Sequence, residues 1–246
     1  MEIEHLAFIM DGNRRYGKKQ LISLDEAYKK GMEKFLEMVS LQVKYGIKET
    51  SFYGLSHDNY EKRPLKELKI LFKLIKFFSS NEQIQDFFNE YNIKTNIIGD
   101  LKALDRTKKG REFGDKKMLK DALKEIEDRN SKIDKVKFVV NIAINYDGQT
   151  EIVSALKKIS KKITSGEIKE NNINEKMIKE HIWFSESKPA DVIVRTGNSP
   201  RLSGFMLWDC EYSEIYLSNK LWPEFSEVDF INVMTWYKDQ KRNFGK

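Results

Sequence analysis

The sequence is poor in the residues that crosslink or interrupt a folded chain. It has one cysteine, Cys210, so no disulfide can form within the chain. Four prolines and 13 glycines in 246 residues leave no Pro/Ser-rich linker and no low-complexity tract. A hydrophobic content of 40% is enough to bury a large core. We therefore expect a single domain over residues 1–246.

Signals for membrane insertion and secretion are also missing. No window of the sequence approaches about 18 consecutive apolar residues, so we expect no membrane-spanning helix. Glu2 and Glu4 stand where a secretory signal would carry positive charge. These features predict a cytoplasmic protein.

The charge balance is mildly basic, with a formal net charge of +6 and 33% charged residues. Such an excess suits an anionic ligand, membrane headgroups or nucleic acid. The P-loop pattern GxxxxGK[ST] and the dinucleotide pattern GxGxxG are absent, which disfavours P-loop NTPases and Rossmann dehydrogenases. The chain also lacks an Asp-Asp pair. It contains no recognised nucleic-acid-binding motif, so we expect no nucleic acid partner.

Short apolar segments alternate with longer segments of helical periodicity. The predicted strands are 5–10, 49–55, 93–98, 136–146, 191–195 and 214–217. The predicted helices are 25–45, 64–90, 101–130, 148–165, 174–182 and 227–242. Near-continuous apolar strands are typical of a parallel sheet covered by helices on both faces, so this order of elements predicts an α/β fold.

The stretch 5–19, HLAFIMDGNRRYGKK, joins a predicted strand to an Asp-Gly-Asn turn and a cluster of cations. In α/β folds ligands bind outside the carboxyl ends of strands, where a helix N-terminus presents free N–H groups to phosphate. Arg14 and Arg15 suit an anion, whereas Asp11 would repel it unless a divalent cation such as Mg²⁺ lies between them. The alternative is an ordinary turn followed by a solvated helix start.

A second candidate loop follows the predicted strand 191–195. The sequence RTGNSPRLSGF places Arg195, Arg201 and Ser203 around a glycine-containing loop, which suits an anion. Two such loops indicate two phosphates or one pair of diphosphates. Glu214, further along the chain, could meet Asp11 at a metal ion or could form a surface salt bridge.

These segments resemble the cis-prenyltransferase family, typified by undecaprenyl diphosphate synthase. The resemblance covers nearly the whole chain and rests on HLAFIMDGNRRYGKK, NYEKRP, NIAINYDG, VIVRTGNSPRLSGFMLWDCEYSEIYLSNKLWPEF and NFGK. It implies an α/β domain with a central, mainly parallel six-stranded sheet, flanking helices and a hydrophobic tunnel beside the sheet. It also implies Mg²⁺-dependent addition of isopentenyl diphosphate to an allylic diphosphate, with a new cis double bond. The resemblance further implies a dimer, which we expect to be a homodimer, and peripheral contact with a membrane through the lipid product.

The resemblance assigns roles to individual residues. Asp11 matches the aspartate that organises Mg²⁺, and Glu214 matches the glutamate that helps complete the metal site. Asn13 and Ser56 match residues near the proton removal, although a released diphosphate oxygen is an alternative base. Asn59 belongs to the same catalytic group. The implied substrate-binding residues are Gly12, Arg14, Arg15, Tyr16, Tyr28, Lys62, Arg63, Arg195, Arg201 and Ser203.

The predicted helix starting at Pro64 carries an apolar stripe. Leu68, Leu71, Phe72, Ile75 and Phe78 recur at helical spacing, which by itself indicates core packing. By the resemblance, this helix also lines the tunnel for the growing isoprenoid tail. The bulky phenylalanines of this region favour a short or medium-length product, and they are Phe72, Phe77, Phe78, Phe87 and Phe88.

The chain departs from the family pattern mainly on the allylic side. Leu24 and Tyr28 stand where the family has an arginine and a histidine, and Pro200 replaces a further histidine. The arginine after Asn59 is represented by Lys62 or Arg63. The arginine of the family's C-terminal Arg-x-Gly motif corresponds here to Arg242, which lies one position earlier than in the family pattern.

These departures leave two alternatives to regular chain elongation. One is irregular, head-to-middle coupling of short allylic diphosphates, which also occurs in the family. The other is a non-catalytic subunit that supports an active partner, but such subunits tend to lose the aspartate of the first loop, and Asp11 is present.

With Leu24 and Tyr28 in place of cationic groups, we expect binding of the allylic substrate to depend on its tail, since each buried CH₂ contributes roughly 0.8 kcal/mol. We predict that the enzyme prefers long allylic primers and that Leu24→Arg with Tyr28→His improves the use of a short one. The measurement is kcat/KM for the C5, C10, C15 and C20 primers. Irregular coupling predicts the reverse order, and a flat profile in both proteins would contradict the prediction.

Overall fold

A six-stranded parallel sheet forms the centre of the protein, whose computed structural model describes residues 2–104 and 116–240. The strands lie in the order β3-β4-β2-β1-β5-β6. Every neighbouring pair is parallel, so the prediction of a mainly parallel sheet is confirmed. The strands are β1 (His5–Ile9), β2 (Glu49–Ser56), β3 (Ile93–Ile98), β4 (Phe138–Tyr146), β5 (Val192–Arg195) and β6 (Glu214–Leu217).

Helices cover both faces of the sheet. They are α1 (Asn13–Gln20), α2 (Leu24–Tyr45), α3 (His57–Lys62), α4 (Leu65–Ser80), α5 (Glu82–Glu90), α6 (Leu101–Leu104), α7 (Lys116–Asn130), α8 (Gly148–Thr164), α9 (Glu175–His181) and α10 (Glu227–Lys238). Residues 105–115 of the predicted helix 101–130, the end of the predicted helix 227–242 and the NFGK motif with Arg242 lie outside the described residues. None of the helices in the described ranges is both long enough and apolar enough to cross a bilayer.

The predicted helix 64–90 is two helices in the structure. Asn81 separates them, because its extended backbone (φ −74°, ψ 120°) ends α4 and its side chain accepts a hydrogen bond from Ile84 N that caps α5. Pro64 precedes the first residue of α4, with an extended backbone. Two short helices that the sequence analysis did not delimit, α1 and α3, start directly after strands β1 and β2.

The core consists of two layers, one on each face of the sheet. On one face the ring of Phe8 stacks on Phe52, with centroids 5.2 Å apart, and Phe35 of α2 meets Phe52 edge-on at 4.6 Å. On the other face Tyr53 stacks on Phe205 at 4.6 Å. Because successive strand residues point to opposite faces, β2 contributes Phe52 to one layer and Tyr53 to the other. Burial on both sides explains the near-continuous apolar sequence of the inner strands.

The order of the strands brings the two candidate loops together. β1 lies between β2 and β5, with Ile9 in register with both Tyr53 and Arg195. All three strands run in the same direction, so the segments that follow them leave the sheet at the same edge. Asp11 follows β1 at this edge, and Arg195 is the last residue of β5.

We predict that Phe52→Ala lowers the free energy of unfolding by about 3–5 kcal/mol, because it empties a fully buried site between Phe8 and Phe35. Phe77→Ala is the control, since the Phe77 side chain is 48% exposed and its loss is expected to cost about 1 kcal/mol or less. Urea titration of both variants measures the difference. Equal losses in the two variants would contradict this account of the core.

Candidate active site

Hydrogen bonds fasten the loop after β1 to the loop after β5. Thr196 Oγ1 donates to Asp11 O over 2.7 Å, and Asp11 N donates to Thr196 Oγ1 over 3.0 Å. Trp222 N donates to Asp11 O over 3.0 Å from a third segment. The backbone of Asp11 is therefore held by two segments that are far away in sequence.

The carboxylate of Asp11 lies between two arginines. Its Oδ1 is 3.1 Å from Arg15 Nη2, and its Oδ2 is 3.0 Å from Arg195 Nη2. Arg195 is buried, and its Nη1 donates to Ser203 Oγ over 2.8 Å and to Arg201 O. Arg195 thus connects the Asp11 loop to the loop that carries Arg201 and Ser203. Both of these side chains are exposed at the surface of the site.

Two glycines allow these loops to approach each other closely. Gly12 (φ +122°) and Gly197 (φ +81°) both have backbone conformations that favour glycine. A Cβ atom on Gly12 would lie 2.9 Å from Leu221, and one on Gly197 would overlap the guanidinium of Arg15. Arg15 Nη1 donates to Gly197 O over 2.8 Å instead. The absence of side chains at these positions lets the first turn of α1 lie against the β5 loop.

A basic pocket of about 470 Å³ opens beside the N-terminus of α1. Five cations and one carboxylate line it, so its field favours a strongly anionic ligand. The lining residues are Met10, Asp11, Gly12, Asn13, Arg14, Arg15, Lys18, Tyr28, Arg63, Gly197, Asn198, Ser199 and Arg201. Eight of these were predicted from the sequence as site residues, which the structure brings together here.

A larger cavity of about 870 Å³ shares part of this lining and extends between α2, α4 and the sheet. Its mouth is polar and includes Asp11, Arg195 and Arg201. Its interior is apolar and includes Phe35, Leu71, Leu74, Ile75, Phe78, Ile97, Ile142 and Ile144. The tunnel expected beside the sheet therefore corresponds to a real cavity.

The five phenylalanines that were expected to influence product length lie in three different places. Phe78 lines the large cavity, whereas Phe77, Phe87 and Phe88 line a separate apolar cavity of about 640 Å³ between α2, α4 and α5. Phe72 packs in the core instead. Phe77 and Phe78 are neighbours on α4 and point to different cavities, because successive residues of a helix are about 100° apart around its axis. The preference for a short or medium-length product therefore rests on Phe78 among these five and stays a prediction.

The end of β2 and the segment after it contribute Ser56, Asn59 and Arg63 to the large cavity. Ser56 Oγ accepts from Asn59 N over 3.1 Å and so caps α3. Lys62 lines neither cavity at the site, and its side chain is 73% exposed and pairs with Asp58 over 2.5 Å. Its hydrogen bond lowers the pKa of Asp58. Of the two candidates, Arg63 is therefore the residue that reaches the site.

Tyr16 and Glu214 are not brought to the site. Tyr16 is half-buried on α1 and lines neither of the two cavities at the site. Glu214 is the first residue of β6 and is in register with Val192. It therefore lies at the amino-terminal ends of the strands, whereas Asp11 follows the carboxyl end of β1. Within one chain Glu214 therefore does not meet Asp11, contrary to the expectation. The reason is that β6 runs parallel to β5, so that Leu217, at the other end of β6, is the residue in register with Arg195.

The described residues contain no group of three or more histidine, cysteine or acidic side chains that could enclose a metal ion. Mg²⁺ does not require such a group, since it is usually held by one or two carboxylates together with phosphate oxygens and water. Asp11 is a partly exposed carboxylate at the mouth of the cavity and fits this role. The residues present fit a Mg²⁺ ion that arrives with a diphosphate, and not one bound by the protein alone.

The sequence analysis missed Glu67 and Gly31. Glu67 is buried behind Tyr28 and Arg63, and the hydroxyl of Tyr28 donates to its Oε1 over 2.6 Å. The spacing of Arg63 and Glu67, four residues apart, could have indicated an ion pair. Gly31 on α2 leaves room for the buried amide of Asn13, whose Oδ1 a Cβ atom at position 31 would overlap.

The fold and the site define an α/β protein that offers two anion-binding loops at the mouth of an apolar cavity. This combination suits a substrate with a phosphorylated head and a hydrocarbon tail. The class is that of an enzyme acting on phosphorylated lipid-like molecules.

Comparison with known proteins gives the family. The family described as putative undecaprenyl diphosphate synthase matches residues 9–245. The geranylgeranyl-diphosphate-specific tritrans,polycis-undecaprenyl-diphosphate synthase of Picrophilus torridus is 35% identical over 98% of this chain and 89% of its own. The (2E,6E)-farnesyl-diphosphate-specific ditrans,polycis-undecaprenyl-diphosphate synthase of Vibrio parahaemolyticus is 32% identical over 98% of this chain and 90% of its own.

A solved structure supports the same assignment. Lavandulyl diphosphate synthase from Lavandula x intermedia, in complex with dimethylallyl diphosphate, superposes with a TM-score of 0.88 at 26% identity and covers 100% of this chain and 99% of the other. The chain belongs to the undecaprenyl diphosphate synthase family, and it is a prenyltransferase.

Gly197 and Gly166 provide a matched pair for testing the close approach of the loops. Both have φ near +80°, but a Cβ atom on Gly166 would meet nothing within 4 Å. We predict that each alanine variant loses about 1–2 kcal/mol of stability through backbone strain. Only Gly197→Ala, which displaces Arg15, is expected to lower kcat/KM for prenyl transfer, by about tenfold or more. Equal activities of the two variants would contradict this role of the loop contact.

Proposed function

We propose that the enzyme condenses isopentenyl diphosphate with an allylic diphosphate to give a longer prenyl diphosphate with a new cis double bond. The observation that carries the proposal is the position of two arginine-bearing loops around Asp11, at the polar mouth of the large apolar cavity. One diphosphate for each loop and one cavity for the tail account for these features together.

The allylic diphosphate is assigned to the basic pocket. Arg14, Arg15 and Arg63 line this pocket, and the N-terminus of α1 adds free N–H groups directed at the ligand. Because the large cavity shares part of this lining, a diphosphate in the pocket can place its hydrocarbon tail among the apolar side chains of α2 and α4.

The isopentenyl diphosphate is assigned to the loop after β5. Arg201 and Ser203 are exposed there, and Arg195 holds the loop by donating to both Ser203 Oγ and Arg201 O. Two cations and a hydroxyl group in this part of the site suit a second diphosphate. Both diphosphates then lie within reach of Asp11, which pairs with an arginine from each side.

In the proposed reaction, the allylic C–O bond breaks and its electrons leave with the diphosphate. The double bond of isopentenyl diphosphate then forms the new C–C bond, and a proton is lost to restore a double bond. Arginines that are already oriented toward the leaving diphosphate stabilise its growing negative charge. Bound Mg²⁺ would supply further stabilisation of that charge, with Asp11 as its protein ligand.

The proton acceptor is assigned to the polar side chains at the mouth of the cavity or to the departing diphosphate. Asn13, Ser56 and Asn59 line this mouth and can hold a substrate or a water molecule by hydrogen bonds. Neither an amide nor a hydroxyl is a strong base. The diphosphate oxygen is therefore the better acceptor on chemical grounds, with these side chains orienting the substrate.

We assign the second copy of a homodimer to the outer edge of β6. This strand pairs only with β5 within the described residues, and its Ile215 and Leu217 are 47% and 42% exposed. An apolar edge strand of this kind is typically covered by a partner. The hydrocarbon tail of the product further suggests peripheral contact with a membrane, where such a product would partition.

Irregular coupling of short allylic diphosphates is the second candidate function. It is favoured by the close structural similarity to lavandulyl diphosphate synthase bound to dimethylallyl diphosphate. Regular elongation is favoured by the relatives from Picrophilus and Vibrio, both of which are undecaprenyl-diphosphate synthases. A non-catalytic supporting role is the least favoured, since Asp11 and its two arginine partners are all present.

The test of the proposed function is formation of prenyl diphosphate from isopentenyl and allylic diphosphates with Mg²⁺, followed by chromatography of the product. We predict that Asp11→Asn lowers turnover by about 10² or more, because it removes the carboxylate that would organise Mg²⁺ and leaving-group charge. The control is Asp25→Asn, which removes an exposed carboxylate from α2. Near-normal turnover of Asp11→Asn at saturating Mg²⁺ would refute the assignment.

A further inference from the structure

A buried carboxylate lies directly behind the basic pocket. Glu67, in the first turn of α4, is only 4% exposed and lines neither the basic pocket nor the large cavity. Three residues that do line the pocket are close to it, namely Tyr28, Arg63 and Arg14. Glu67 therefore acts on the pocket through other side chains, and not by contact with a ligand.

Two of these residues, Tyr28 and Arg63, are joined to Glu67 and to each other by two hydrogen bonds and one ion pair. The Tyr28 hydroxyl donates to Glu67 Oε1 over 2.6 Å, and Arg63 Nη1 donates to the same hydroxyl over 3.0 Å. Arg63 Nε lies 3.3 Å from Glu67 Oε1. The guanidinium is thus held on one side by a hydrogen bond from Nη1 and by the ion pair with Glu67, which restricts rotation of the Arg63 side chain.

The direction of these hydrogen bonds is fixed by charge. Burial, together with the neighbouring carboxylate of Glu67, raises the pKa of Tyr28, so the hydroxyl keeps its proton. A protonated hydroxyl donates its single hydrogen to Glu67 and accepts from Arg63. Arg14 is different, since its Nε is 4.0 Å from Glu67 and its side chain is 60% exposed. Arg63 is accordingly the cation that Glu67 orients.

The backbone explains why Arg63 needs support. It ends α3 and precedes Pro64, with an extended conformation (φ −73°, ψ 147°), so it lies at a junction between two helices and not within either. Glu67 is one helical turn further on, in α4, and Tyr28 comes from α2. The three residues fasten this junction to α2 at the wall of the pocket.

We propose that Glu67 is a positioning residue, which with the Tyr28 hydroxyl holds the Arg63 guanidinium in place to bind the diphosphate of the allylic substrate. The inference rests on the proposed function, since it assigns that ligand to the basic pocket. It gives Tyr28 a role in which the hydroxyl connects a carboxylate to an arginine.

The experiment compares steady-state kinetics of the wild type with Glu67→Gln and Tyr28→Phe. Glu67→Gln preserves shape and removes the charge, so we expect KM for the allylic diphosphate to rise about tenfold, with kcat changed by less than about twofold. Tyr28→Phe leaves the direct Arg63–Glu67 pair and is expected to give a smaller rise, about threefold. The control, Glu37→Gln, removes an exposed carboxylate that pairs with Lys34, and KM should stay unchanged.

Variants that lack Arg63 distinguish a positioning role of Glu67 from a general effect of its charge or a change of the fold. In an Arg63→Ala background, adding Glu67→Gln should raise KM no further, because the guanidinium that Glu67 orients is gone. The rise in KM caused by Glu67→Gln alone should also be the same factor for short and long primers, since Arg63 acts on the diphosphate and not on the tail. Thermal unfolding of each variant checks that the fold is retained.

Four outcomes would overturn the inference. A lower KM in Glu67→Gln would mean that the carboxylate merely repels the substrate. An unchanged KM, or an equal rise in the presence and absence of Arg63, would show that Arg63 does not mediate the effect. If the wild type neither turns over nor binds any prenyl diphosphate, the proposed function is overturned as well. If the wild type turns over and Glu67→Gln has the same KM, this inference alone is overturned.

Discussion

The parallel pairing of β1 with β5 is the constraint on which the site depends. It places Ile9 in register with Arg195, so Asp11 and Arg195 form an ion pair of 3.0 Å although they are 184 residues apart. A buried guanidinium is costly unless it is paired, and Arg195 obtains its carboxylate from the loop after β1. The same pairing joins β5 and β6 to the other four strands and fixes the relative positions of the two anion-binding loops.

Carboxylates limit the positive charge of the site from two sides. Asp11 pairs with both Arg15 and Arg195 at the mouth of the large cavity and offsets one of their two charges, and Glu67 pairs with Arg63 from behind. Without these partners the clustered cations would repel one another in a partly desolvated pocket. Cations held in this way are already oriented before substrate arrives, which is the condition for electrostatic stabilisation of a departing diphosphate.

The apolar side of the site is built by elements that also form the core. Phe35 and Phe78 line the large cavity and belong to the same cluster as Phe52. The wall is therefore supported by close-packed aromatic rings. α4 separates this cavity from the outer one, because Phe78 on one side of the helix lines the large cavity and Phe77 on another side lines the outer cavity.

The amino-acid sequence alone determined the α/β class, the position of the six strands and the two loops that carry Asp11 and Arg195, because these depend on local apolar patterns and on motifs of short range. Tertiary structure decided that Arg63, and not the adjacent Lys62, lines the site, and it decided which cavity each phenylalanine faces. It also placed Glu67 behind Tyr28 and Glu214 far from Asp11. These outcomes depend on strand register and on the packing of helices that are distant in sequence, and no local pattern specifies which direction a side chain takes once those elements have met.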